Sequence, residues 1–170
     1  MANTYTLISS NVLSSSAASV TFSAIPATYT DLVIRTSIRT DRSTQPNDGI
    51  NIALNNTSTN YSYTYLRGNG ATASSSFDVI YSTFRNVDGS LATSNTFGNN
   101  EIYIPNYAGS NNKVFSVTGA QEDNSTTAHI EAYAFLWRNT AAISSIVLSP
   151  YVGPNFVAGS SFYLYGISKS

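Results

Sequence analysis

The chain contains no cysteine, so neither a disulfide framework nor a thiolate site is open to it. Charge is almost as scarce: Lys, Arg, Asp and Glu make up 10% of residues, and the net charge is −1. That balance argues against a basic nucleic-acid surface and against an acidic tail. A single histidine, His129, together with the missing thiols excludes ordinary zinc sites. No run of 18 apolar residues occurs, so no membrane-spanning helix is expected. The opening stretch, MANTYTLISSNVLSSSAAS, has no Lys or Arg and no continuous apolar segment. A cleaved signal peptide needs both, so Met1 reads as the true start of a protein made in a cytoplasm.

Twelve Tyr and eight Phe are set among abundant Ser, Thr and Asn, and hydrophobic residues reach 42%. That fraction argues against disorder, and the mixture is one of strands and turns. The length of 170 residues suggests one domain, 1–170. At that size roughly 70% of the unfolded chain's surface can be buried. Period-two patterning recurs over 4–8, 19–23, 31–40, 49–55, 61–68, 76–84, 100–106, 113–121, 128–138, 143–149 and 161–168. Turn stretches such as QPNDG, GNG, VDGS, YAGSNN, QEDNSTT and VGPN lie between them, and no helical period intervenes. The pattern predicts an all-β fold, an antiparallel two-sheet β-sandwich with a jelly roll as first choice. Its core should include Leu32, Ile34, Ile52, Leu54, Ile102, Ile104, Ile146, Leu148 and Leu164, with Arg35 and Arg39 on the wet face of 31–40.

Two strands pose the functional question. NYSYTYLRGNG (60–70) puts Tyr61, Tyr63, Tyr65 and Arg67 on one face. The tyrosine stripe reads as a protein interface, a half-buried sandwich face, or a platform on which a sugar stacks. Strand 128–138 sets Ala128, Ile130, Ala132, Ala134 and Leu136 against His129, Glu131, Tyr133, Phe135 and Trp137. Either the aromatic face is a subunit interface, whose composition it has, or it is core and the alanines face outward. A bulge could also switch the faces mid-strand.

Chemistry has few places to reside. A catalytic triad would have to use His129, with Glu131 beside it on the same face, but no nucleophile-elbow sequence accompanies them. Asp41 and Asp48 flank one turn and Glu122 and Asp123 occupy another. Neither pair has the spacing of a calcium loop, so they are expected to be solvated turn residues. The strand acids Asp31, Asp78, Glu101 and Glu131 single out no glycosidase pair. GNG (68–70) lacks the GK[ST] and the following helix of a phosphate loop. No catalytic residue, metal or cofactor is assigned, and enzyme activity is not expected.

Four stretches taken together carry a resemblance: VTFSAIPATYTDLVIRTSIRTD (20–41), NYSYTYLRGNGATASSS (60–76), EIYIPNYAGSNNK (101–113) and AAISSIVLSPYVGPNFVAGSSFYLYGISKS (141–170). In this order the chain resembles a group of small virion structural proteins of tailed bacteriophages, frequent among phages of cyanobacteria and other aquatic bacteria. The F-x-x-I-P-x-x-Y-x-x-L segment and the terminal L-Y-G-I are its most recognisable parts. The resemblance implies a β-sandwich used on the capsid surface or at a tail fibre or spike, with no catalytic motif to transfer. No collagen-like, coiled-coil or β-helical stalk pattern is present. A capsid decoration or cement protein is therefore expected. It would be a homotrimer bound to the major capsid protein on the outside of the virion, without nucleic acid or membrane as partner. The alternative is a tail fibre or spike tip domain that binds host surface carbohydrate. The interface residues expected are Tyr61, Tyr63, Tyr65, Arg67, Tyr133 and Trp137, with Arg35 and Arg39 as second choices.

Overall fold

The computed structural model describes residues 4–80 and 82–168, and among the described residues it contains strands but no helix. The strands are β1 (Tyr5–Val12), β2 (Val20–Phe22), β3 (Asp31–Ile38), β4 (Asn47–Leu54), β5 (Tyr61–Gly68) and β6 (Ala73–Asp78). They continue with β7 (Thr83–Asp88), β8 (Gly98–Pro105), β9 (Lys113–Gln121), β10 (His129–Trp137), β11 (Ile146–Pro150) and β12 (Ser161–Ile167). They form two antiparallel sheets: eight strands in the order β1-β12-β3-β8-β9-β10-β5-β6, and four in the order β2-β11-β4-β7. With the β8-β9-β10 meander counted as one strand, β2-β11-β4-β7 facing β3-meander-β5-β6 is the pairing order of a jelly roll. β12 and β1 extend the sheet beyond β3.

Alternation of side chains produces this directly. β8 buries Asn100, Ile102 and Ile104 and turns Asn99, Glu101 and Tyr103 outward. All nine core positions expected from the period-two pattern are fully buried. In β10 the buried residues are His129, Glu131, Tyr133, Phe135 and Trp137, while Ile130 and Ala134 are exposed. Of the two readings of this strand, the aromatic face is core and the small apolar face is outside.

Several boundaries differ from the sequence pattern, and two of the differences have a clear local reason. The period-two run over 76–84 forms two strands in different sheets. β6 stops at Asp78, whose Oδ1 accepts the Ile80 N–H at 2.8 Å, a side-chain-closed turn that releases the chain toward β7. β1 runs on to Val12 because a bulge between Leu7 and Ser9 shifts the alternation without ending the pairing.

The two most recognisable sequence segments lie against each other. Phe22, Ile25 and Leu32 are buried, and the Tyr29 ring between them lies over Gly166 of β12. A Cβ at Gly166 would meet the ring carbons of Tyr29 at 2.3–2.5 Å. Thr30 then donates both its N–H and its hydroxyl to the Ile167 carbonyl, each at 2.8 Å. Gly166 is thus required for close approach of a ring. Gly166→Ala is expected to cost about 1–3 kcal/mol in denaturant unfolding through overpacking. In a Tyr29→Ala background the same change should cost clearly less. An equal cost in both backgrounds would show that the ring contact is not what requires the glycine.

Candidate functional site

Most of the expected interface residues line the interior of the sandwich. Tyr61 is fully buried and stacks on Trp137, with ring centroids 6.0 Å apart. Its hydroxyl accepts the Leu54 N–H at 2.9 Å and donates to the Thr57 carbonyl at 3.1 Å. Tyr133 donates to the Glu131 carboxylate and accepts the Arg85 N–H at 3.2 Å. Burial pushes both phenols well above the ordinary tyrosine value, and for Tyr133 the Glu131 charge adds to it. Trp137 is fully enclosed. Tyr61, Tyr133 and Trp137 therefore offer no surface to a partner, which corrects their expected role as anchors. Their bulk fills the space under a sheet twice as many strands wide as the one it faces.

Tyr63 and Tyr65 are half-buried, with rings 5.2–5.6 Å from those of Tyr133 and Phe135. The slot they leave with Thr83, Arg85 and Tyr151 is about 100 Å³. Small-molecule pockets are usually roughly 300–1,000 Å³, so this slot is too small to enclose one, and the tyrosine stripe is a half-buried sandwich face.

Arg67 also points inward. Its Nε lies 3.3 Å from Glu131 Oε1, and its Nη2 donates to His129 Nδ1 at 2.9 Å. His129 Nε2 lies 2.9 Å from Asp123 Oδ2. With the guanidinium donating to Nδ1, the ring proton resides on Nε2 and faces Asp123. Both imidazole nitrogens are engaged, so this histidine has none free to serve a nucleophile. Arg39 is buried, contrary to its expected place on the wet face. β3 ends one residue earlier, and the Arg39 guanidinium turns in to the carbonyls of Ser90, Ala92, Thr93 and Thr96 at 2.7–3.2 Å. Arg35 alone of the eight lies exposed on the outer face, paired with Glu101 at 2.9 Å.

The turn acids hold loop structure, and of them Asp48 is buried while Asp41, Glu122 and Asp123 stay partly exposed. Asp48 is buried and accepts from Thr40 Oγ1 and from the N–H groups of Gly49, Val152 and Gly153 at 2.7–3.2 Å. Asp41 accepts both the N–H and the Nδ2 of Asn155 at 2.8 Å. Glu122 accepts the N–H and hydroxyl of Thr93 at 2.9 Å. Asp88 is fully buried, with Oδ1 accepting the Glu122 N–H at 3.2 Å. Burial holds its pKa above the ordinary carboxylate value, against the opposing pull of Thr96, the Glu122 N–H and Arg39.

The surface that pattern reading passed over is the other side of the same strands. On the outer face of β9, β10, β5 and β6, the outward positions of 114–120, 130–136, 62–68 and 73–77 are all apolar, Gly, Ser or Thr. Phe77, Leu66, Ile130 and Val114 stand out from it at 71%, 63%, 61% and 57% exposure. Between these knobs lie two shallow hollows. One, of about 520 Å³, is lined by Leu66, Ala73, Ile130 and Ala132. The other, of about 360 Å³, is lined by Thr64, Phe77, Val114 and Ala134. Charges border this face: exposed Arg138, the outward position just past β10, donates to Ser62 Oγ at 3.2 Å, and across the sheet Glu101 of β8 and Arg35 of β3 pair with each other. The signal in the sequence was the charge-free alternation Ile130, Ala132, Ala134, Leu136. Comparisons with protein-family models, curated proteins and solved structures return no match for this chain.

Two outcomes follow from the interior chemistry. Tyr61→Phe leaves the buried Leu54 N–H without its acceptor and should cost about 1–3 kcal/mol in chemical denaturation. Asp88 binds its proton more tightly folded than unfolded. Its contribution to stability is therefore present below the ordinary carboxylate value and lost as pH rises through the folded-state value. Wild type minus Asp88→Asn stability, measured by denaturation across acidic to neutral pH, should fall with rising pH. A flat difference would show that Asp88 carries no such linkage.

Proposed function

We propose that this protein is a structural component of a tailed-phage particle. On this reading it is a decoration or cement protein that docks on the outside of the capsid and stabilises the shell without chemistry. The docking surface is the charge-free outer face of β9, β10, β5 and β6, and that face carries the reading. Exposed apolar patches on sandwich proteins mark sites of association. Leu66, Phe77, Ile130 and Val114 supply apolar area whose burial is worth about 25 cal/mol per Å². The sequence resemblance to virion proteins supplies the setting, with the major capsid protein as partner. The carbohydrate alternative finds less support, because the tyrosine rings on which a sugar would stack pack against Tyr133 and Phe135.

Attachment through an uncharged face gains little from electrostatic steering, so salt should weaken it only modestly. Ile130→Glu and Leu66→Glu change exposed positions and should leave folding intact by circular dichroism, yet abolish co-sedimentation with particles. Particles lacking the protein should burst at lower temperature than particles carrying it, and electron microscopy should place it on the shell. Location only on tails, equal heat stability, or undiminished binding by the glutamate variants would each overturn this reading.

A further inference from the structure

We infer that β6 pairs with β6 of a second copy, antiparallel about a two-fold axis, so that two eight-stranded sheets become one continuous sheet. The inference rests on how the four sheet edges are treated, does not need the particle reading, and takes the place of the homotrimer expected from the resemblance. A free edge is a template for pairing, and proteins blunt edges with short strands, bulges, covering segments, Lys or Pro. β2 has three residues. β1 is bulged between Leu7 and Ser9. β7 breaks register with β4 between Asp48 and Ile50 and packs against β8, β9 and β10 of the facing sheet. β6 has none of these devices. It is six residues long, runs in unbroken register with β5, and is exposed from Ala73 to Phe77. Its sequence, ASSSFD, has no Lys, Arg or Pro, and its one charge is at the last position.

The strand is also complementary to itself. Its outer-face residues are Ala73, Ser75 and Phe77, and its inner-face residues are Ser74, Ser76 and Asp78. A two-fold axis through Ser75 sets Phe77 of each copy against Ala73 of the other, large against small, and Ser74 against Ser76. A two-fold contact repeats each such match twice. The two Asp78 side chains then lie at opposite ends of the ladder, about 20 Å apart at strand rise, beyond a Debye length of about 8 Å. Exposed Val79 and Ile80 follow directly and add apolar surface at both ends of the joint. Joining the sheets has a further consequence. Four strands at about 4.8 Å spacing give a charge-free face about 19 Å wide and about 24 Å long. That is roughly half of the ~800 Å² per partner in a standard interface. The paired sheet doubles it.

Light scattering on the purified chain tests this. The expected mass is twice 18.2 kDa. Ser75→Lys places two like charges opposite each other on the axis, as does Ser75→Glu. Each should dissociate the dimer, raising the concentration for half-dissociation about tenfold or more. Circular dichroism should show both folded, since Ser75 is exposed. Mixing the two variants should restore the dimer, because opposite charges then face each other. A monomeric or trimeric wild type, a Ser75→Lys dimer as tight as wild type, or a mixture that stays monomeric would each overturn the inference.

Discussion

The tyrosine hydroxyls that reach across from the eight-stranded sheet hold the two layers of this sandwich together. Tyr61 of β5 accepts the N–H of Leu54 in β4, and Tyr133 of β10 accepts the N–H of Arg85 in β7. Tyr107, just after β8, donates to the Pro26 carbonyl in the loop before β3 and accepts the Tyr29 N–H at 3.4 Å. Each ring buries apolar area inside the sandwich, and each hydroxyl pairs with backbone that sheet pairing leaves unserved. The need follows from the mismatch of eight strands against four. A wide sheet overhanging a narrow one leaves a gap that Leu and Ile do not span, and whose far wall is polar backbone.

This constraint decides which face of β5 and β10 is available for association. Inside, Phe115, Phe135, Tyr133 and Tyr65 stack in succession across β9, β10 and β5, with centroids 4.8–5.6 Å apart. Such stacking fixes the inward side chains against one another. The outward positions are then free of structural duty, and they hold Ala, Ser, Thr and a few exposed Leu, Ile, Val and Phe. Aromatic composition alone suggested an interface, because buried sandwich faces and subunit contacts draw on the same residues.

The fold was legible because period two is a direct imprint of the pleat, and ten of the expected stretches each correspond to one strand. The run over 76–84 was not, because the break depends on Asp78 capping its own turn, a contact between neighbours that alternation does not register. Arg39 was misplaced for a similar reason. Counting by twos put it beside Arg35, but β3 ends at Ile38 and the side chain turns inward to four loop carbonyls. The direction of the faces could not be read from β10 alone, since one is small and apolar and the other is aromatic with His129 and Glu131 at one end. The aromatic face meets Phe84 and the Arg85 N–H of β7, distant partners with no local signature.

Burial lowers further the charge of a surface that the sequence already makes charge-poor. Lys113 is buried, with Nζ donating to the carbonyls of Gly109 and Asn111 at 2.7 and 2.6 Å, and burial lowers its pKa. Arg39, Asp48, Asp88 and Glu131 are buried as well. In a chain with eight basic and nine acidic residues, this takes a large share of the charge out of solvent contact. Each buried group is tied to loop backbone or to an opposite charge, the condition under which burying it is tolerable. The loops at the sandwich ends are therefore fastened by ions, while the broad outer face is left uncharged. Fastened ends and a face with few charges suit association by shape, because a surface without steering charge must rely on being preformed.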